Sequence, residues 1–184
     1  NAEKTAEAFD EEGFYRLGDA VKFVDPERPE KGLAFDGRTV EEFKLASGTW
    51  VSAGAVRVAT VAACGGALSD AVVCGLNRDE IGLLGFLNLA WCQRLVGEAL
   101  GAEELARHPK VLEAVRAGLT GHNAAHPNAA ARVTRILLQP LEPRADLGEI
   151  TEKGYLNQSR TQALREAEIA ALYGPEAKDG KLVL

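Results

Sequence analysis

The chain has 184 residues, 46% of them hydrophobic and 26% charged; this balance excludes a disordered tail and suits one domain, or a small domain with an appendage. Asp and Glu number 27 against 21 Lys and Arg, a formal net charge of −6, which favours neither a nucleic-acid backbone nor an anionic membrane surface as partner. No run reaches the roughly 18 apolar residues needed to cross a bilayer, and the N-terminus has no basic-then-apolar leader.

Residues 1–12 are acidic and Ala-rich, a frayed or helical lead-in. The stretches 14–17, 20–24 and 32–35 are short and β-prone, separated by Gly18-Asp19 and by Asp25-Pro26-Glu27-Arg28-Pro29-Glu30. They predict a β-meander, and three short strands seldom stand alone in water, so it should belong to a larger sheet. Ser52 is placed to cap a helix running through Val56, Val58, Ala59, Ala62 and Ala63, stopped by Gly65-Gly66. Residues 70–76 read as a buried strand, and 81–87 as its partner across the turn Asn77-Arg78-Asp79-Glu80. Helical spacing covers 89–100 and 105–119, with Gly101 and Gly121 as breakers. Residues 132–138 alternate polar and apolar, predicting a half-exposed strand ended by Pro140, and 157–173 predict a helix stopped at Gly174-Pro175. Strands mixed with helices in no strict βαβ order give an α+β class.

Three scattered cysteines, Cys64, Cys74 and Cys92, are too few for a disulfide framework or a zinc cluster, and reduced thiols in the cytoplasm are expected. Methionine is absent altogether, which points to a piece of a longer protein. Taken singly, most polar residues have ordinary explanations. Lys44 and Lys153 suit a solvated surface, and Asp19 suits a turn after glycine. His122 and His126 have metal-ligand spacing on one helix face, but Gly121 and Pro127 bracket them and no thiol or carboxylate is near in sequence, so no metal is expected. Gly65-Gly66 lacks the context of a phosphate fingerprint, and no Ser or Cys stands in a nucleophile elbow.

The order of several segments says more. Tyr15-Arg16-Leu17-Gly18-Asp19 is followed by Gly37-Arg38-Thr39-Val40-Glu41-Glu42-Phe43-Lys44 and then Gly48-Thr49-Trp50-Val51. Farther on come Asp70-Ala71-Val72-Val73 with Asn77-Arg78-Asp79-Glu80-Ile81-Gly82, and Gly148-Glu149-Ile150-Thr151-Glu152-Lys153-Gly154-Tyr155-Leu156-Asn157-Gln158. This series resembles the late motifs of the adenylate-forming superfamily, which includes acyl-CoA and aryl-CoA synthetases, luciferases and peptide-synthetase adenylation domains. Within it the wording is most similar to that of the feruloyl-CoA synthases, and the likeness runs from about Phe9 to Tyr173.

The resemblance implies that residues 1–39 are the terminal strands of a large adenylation domain whose N-terminal remainder is missing. Residues 40–184 would then be a mobile C-terminal lid, with a central three-stranded sheet packed by helices. It implies a two-step ligation that uses ATP, CoA and an aromatic carboxylic acid, with Mg²⁺ not bound by residues of this segment and the segment alone inactive. Asp19 would accept hydrogen bonds from the ribose hydroxyls, and Arg38 would reach the nucleotide. Lys153 would meet the carboxylate and α-phosphate oxygens during adenylation, and Lys44 would serve the second step from the opposite lid face. Gly48, Thr49 and Trp50 would edge a pantetheine tunnel. The hinge of the family aligns with Val40, a stiff β-branched residue, so the pivot could also fall at Glu41. The loop after Lys44 carries one residue more than the commoner pattern and ends in Ala53-Gly54-Ala55-Val56-Arg57. Two alternatives stand beside this reading: an adenylation domain acting on another acid or a carrier protein, and a binding module without chemistry.

Overall fold

Two apolar runs set the frame. Leu68–Cys74 and Ile81–Leu87 form an antiparallel pair, here β5 and β6, and every residue of Ile81–Leu87 is buried. Both faces of a strand must be covered to produce that pattern, so the sheet sits between two layers of helix. The computed structural model describes residues 5, 8–38, 41–175 and 180–184. In chain order, its strands before this pair are β1 (Asp19–Phe23), β2 (Leu33–Arg38), β3 (Glu42–Lys44) and β4 (Trp50–Ser52). Helix α1 (Ala53–Ala63) then leads into β5. After β6 come α2 (Leu89–Val96), α3 (Ala102–Arg107), α4 (Pro109–Ala125), β7 (Val133–Gln139), α5 (Gln158–Leu164), α6 (Glu166–Tyr173) and β8 (Lys181–Val183).

The main sheet has the order β5-β6-β7-β8, with β6 and β7 parallel and the other pairs antiparallel. Parallel neighbours need a crossover, and α2, α3 and α4 supply it. Successive side chains point to opposite faces of a strand. Val73, Ile81, Leu83, Ile136 and Leu138 therefore join the larger core with α1 to α4, through residues such as Val56, Leu105, Val115 and Leu119. Val72, Cys74, Leu84, Phe86 and Leu137 form a second core on the other face with Leu156 and Leu172. The α+β class expected from the sequence is what the chain adopts.

The details depart from expectation in several places. The central sheet has four strands rather than three, because Lys181–Val183 adds to β7. The N-terminal meander is a two-stranded hairpin of β1 and β2. Residues 14–17 make only a single bridge, Tyr15 to Phe9, around a turn in which the Asp10 carboxylate accepts from the Glu12 and Phe14 N–H groups. β7 is not half-exposed, since Ile136, Leu137, Leu138 and Gln139 are all buried where helices cover both faces. The helix from Leu89 ends at Gly97, whose φ of 87° is the left-handed cap that glycine adopts without strain. The expected 105–119 helix is two helices broken at His108-Pro109. Proline takes the first position of α4, where no N–H is required, and the His108 ring accepts from the Lys110 N–H. Gly121 does not break α4 but lies inside it. The 157–173 helix is likewise two, divided at Arg165.

Candidate functional site

The β3–β4 hairpin carries the first group of sequence-predicted residues. Its turn closes through Leu45 N–H to Thr49 carbonyl at 3.0 Å and Gly48 N–H to Leu45 carbonyl at 2.9 Å. Gly48 has φ 82°, a left-handed conformation for which glycine is suited. Phe43 and Val51 face each other in the register and are buried, which sends their neighbours Lys44 and Trp50 outward on the opposite face. Lys44 Nζ lies 4.6 Å from the centre of the Trp50 ring, and the indole stays 59% exposed. Such a cation–π contact at an exposed site contributes about 0.5–1 kcal/mol, enough to bias the lysine rotamer without immobilising it.

The hairpin is tied to the β5–β6 turn by Asn77 N–H to Lys44 carbonyl at 3.1 Å and Ala46 N–H to Arg78 carbonyl at 2.8 Å. That turn is held in turn by α6. The Tyr173 hydroxyl sits 2.9 Å from the Cys74 carbonyl and 3.1 Å from the Glu80 carbonyl, and burial raises its pKa well above the usual phenol range. Between hairpin and α5 opens a cleft of about 530 Å³, lined by Glu41, Lys44, Trp50, Leu76, Gln158 and Gln162 among others. Its far wall is fixed by side-chain amides. Gln158 accepts from the Val73 N–H at 2.9 Å and donates to the Ala71 carbonyl at 2.9 Å, while Gln162 donates to the Val73 carbonyl at 2.8 Å.

Lys153 stands on a different element, an exposed turn immediately before α5. The stem pairs Ile150 with Leu156, Asn157 N–H donates to the Glu149 carbonyl at 2.8 Å, and Thr151 N–H donates to the Tyr155 carbonyl at 2.8 Å. The Asn157 side chain caps α5 by accepting from the Arg160 N–H. At the base lies Glu149, 2% exposed, with both carboxylate oxygens engaged. Arg165 Nε donates to Oε1 at 2.7 Å, Arg165 Nη2 to Oε2 at 3.0 Å, and the Arg144 N–H to Oε2 at 2.7 Å. Burial opposes the Glu149 charge, but the Arg165 hydrogen bonds, the Arg144 N–H and the charges of both arginines prevail and hold its pKa below the ordinary 4.5.

Because the folded value is the lower one, the contribution of this carboxylate to stability is fully present above pH 4.5 and is lost as the pH falls through the folded value. Arg165 faces it from the α5–α6 junction and Arg144 from the segment after β7. The urea midpoints of the unaltered chain and of Glu149→Gln should therefore lie apart at neutral pH and converge on acidification. A gap that stays constant down to about pH 3 would contradict this linkage.

The register of β1 and β2 sets Asp19 opposite Arg38, so the two residues assigned to the nucleotide are backbone partners. Lys44, Gly48, Thr49 and Trp50 share one hairpin, and half-buried Glu41 lies beside it on the cleft wall. The hinge position Val40 lies outside the described residues. Lys153 does not line the cleft, although α5, which follows it in the chain, does. Sequence reasoning passed over Gln158, Gln162 and Arg165. Gln158 reaches a strand 85 residues away and Arg165 a carboxylate 16 residues away, separations that no local pattern announces.

Among the described residues no group of three or more His, Cys, Asp or Glu could hold a metal ion. His122 and His126 stack at 4.6 Å, and their rings bond the Ala131 and His122 carbonyls respectively, closing the end of α4. Asp70, Glu80 and Glu149 are each paired with an arginine, Arg57, Arg135 and Arg165. Those three carboxylates are thereby engaged by guanidinium groups. Burial pushes the Cys64 and Cys74 thiols up to about 12, which removes both as nucleophiles at neutral pH. No described helix is long and apolar enough to cross a membrane.

No protein-family model and no curated protein matches the sequence. Solved structures do match its fold. The A-PCP didomain of carboxylic acid reductase from Segniliparus rugosus, in complex with AMP, aligns over 94% of this chain at 19% identity with a TM-score of 0.69. The adenylation domain of a carboxylate reductase from Mycobacterium chelonae aligns over 94% at 20% identity with a TM-score of 0.68. The anthranilate CoA ligase AuaEII, in complex with anthranoyl-AMP, aligns over 93% at 20% identity with a TM-score of 0.54. The match takes up 22%, 25% and 26% of those three chains, so this chain spans about a quarter of their length. The shared feature is a small mixed α+β fold.

Proposed function

We propose that this chain is the C-terminal part of an ATP-dependent acid–CoA ligase, with residues 1–39 closing a large adenylation domain and residues 40–184 forming its mobile lid. The observation that carries the reading is the fold likeness over 94% of the chain to an adenylation enzyme solved with AMP. The motif series in the sequence adds to it. Exposed apolar side chains on the first unit also suit a surface covered by further protein: Leu17 is 77% exposed, Phe14 67%, and Val21 and Phe23 are exposed as well.

In the first half-reaction the acid's carboxylate attacks the α-phosphorus of ATP, and pyrophosphate leaves. Negative charge crowds at that centre, and the Lys153 ammonium meets it. At about 4 Å and an effective dielectric near 20, one such contact is worth on the order of 4 kcal/mol before desolvation. Asp19 accepts from the ribose hydroxyls and Arg38 holds the nucleotide. Mg²⁺ enters with the nucleotide rather than through ligands of this chain. The lid then turns about Val40 or Glu41 and presents its other element. The CoA thiol attacks the acyl carbonyl, AMP leaves, and the thioester forms beside Lys44. Gly48, Thr49 and Trp50 edge the pantetheine path. The acid is aromatic, of the hydroxycinnamate kind, on the likeness of the motifs to feruloyl-CoA synthases.

The test uses the complete parent chain with a hydroxycinnamic acid, each half-reaction assayed alone. Lys153→Ala should slow adenylate formation on the order of 100-fold while CoA still captures supplied adenylate. Lys44→Ala should do the reverse. Survival of both steps in Lys153→Ala would overturn the assignment. A second reading, transfer to a carrier protein, is favoured by the likeness to a reductase adenylation domain solved together with its PCP. Thioester formed on a phosphopantetheinyl carrier but not on free CoA would select it.

A further inference from the structure

Resting on the reading of Lys153 as the adenylation lysine, we infer that Arg165 is its positioning residue, acting through Glu149 to fix the stem of the 149–157 turn. The tip of that turn is exposed, and its order comes from the stem. A turn held only by its own backbone bonds could pivot as one body about the points where it meets the domain. At its N-terminal foot Glu149 prevents this, because both of its oxygens are anchored and Arg165 supplies two of the three anchoring bonds.

Arg165 is itself rigid. Besides Glu149 it donates to Gln139 Oε1 at 3.0 Å, the Leu141 carbonyl at 3.2 Å and the Glu142 carbonyl at 3.1 Å. Its guanidinium lies 4.9 Å from the centre of the Phe86 ring in the second core. The fork therefore links the lysine turn to the end of β7, to β6 and to the α5–α6 junction at once. Lysine could match its charge but not that planar set of donors. A displacement of about 1 Å at the root of a reactive side chain can cost on the order of 100-fold in rate.

The experiment uses the complete parent chain with Arg165→Lys and Glu149→Gln, each alone and combined with Lys153→Ala. Arg165→Lys keeps a cation beside Glu149, and folded fraction is monitored by circular dichroism. The expected result is a loss on the order of 100-fold in kcat for adenylate formation with KM for ATP little changed. Capture of supplied adenylate by CoA should be unaffected, and neither variant should lower adenylation further once Lys153 is alanine. Equal slowing of both half-reactions, or additive loss on top of Lys153→Ala, would overturn the inference as a merely structural effect. Adenylation that survives Lys153→Ala overturns the lysine assignment and this inference with it. Adenylation lost in Lys153→Ala but kept in Arg165→Lys overturns this inference alone.

Discussion

Arg165→Met is expected to destabilise the chain by about 3–5 kcal/mol, the cost typical of leaving one partner of a buried ion pair unmatched. The Arg165 side chain is 9% exposed and that of Glu149 2%, so water cannot take over the lost hydrogen bonds. Four other acceptors lose their partner as well: Gln139 Oε1, the Leu141 and Glu142 carbonyls, and the aromatic face of Phe86. For a chain of this length the loss should lower the thermal midpoint by roughly 10 °C, read by circular dichroism. Adding Glu149→Gln should recover part of the loss, because no charge is then left buried alone. A midpoint within about 2 °C of the unaltered chain would show that the pair contributes little.

The second large effect concerns two glycines three residues apart on α4. Gly118 packs against the C-terminal end of α1, where an added Cβ would lie 2.5 Å from the Ala63 carbonyl oxygen and 2.8 Å from Cys64 Cα. Those atoms are backbone and cannot rotate away. Gly118→Ala must therefore push two helices apart, at a cost of about 2 kcal/mol or more even after the gain in helix propensity. At Gly121 a Cβ would meet nothing within 4 Å. Gly121→Ala should stabilise by about 0.5–1 kcal/mol through the reduced backbone freedom of the unfolded chain. Urea unfolding of the two variants should thus move the midpoint in opposite directions. Shifts of the same sign would mean that α1 and α4 can yield enough to admit a methyl group between them.

Those glycines also show what a sequence can and cannot disclose. Gly121 looks like a helix breaker and is not one, while Gly118 attracted no notice, although close packing against α1 demands it. Both are invisible to periodicity, because only the neighbouring helix distinguishes them. Residues 81–87 were legible as a strand since burial on both faces writes itself as an unbroken apolar run. The terminal strand Lys181–Val183 was not, being three residues long and defined only by its pairing with β7. At the site, the ordered motifs singled out Lys44, Trp50 and Lys153, and the backbone sets Asp19 against Arg38. Gln158 and Arg165 escaped because their partners lie 85 and 16 positions away in the chain. Gln158 opens α5 and Arg165 divides α5 from α6, and neither stands out until β5 and Glu149 are brought beside them.

The amides of Gln158 and Gln162 have a consequence for the molecule's behaviour in company. β5 is one of the two edge strands of the main sheet, β8 being the other, and an edge strand offers its free backbone groups to any extended segment that drifts past. Here the Val73 N–H and the Ala71 and Val73 carbonyls are already occupied by side chains of α5. The helix thereby imitates one more strand without being one, and along residues 71–73 this edge has those groups withdrawn from templating. An extended segment of a neighbouring molecule that reaches this edge finds those three groups already taken.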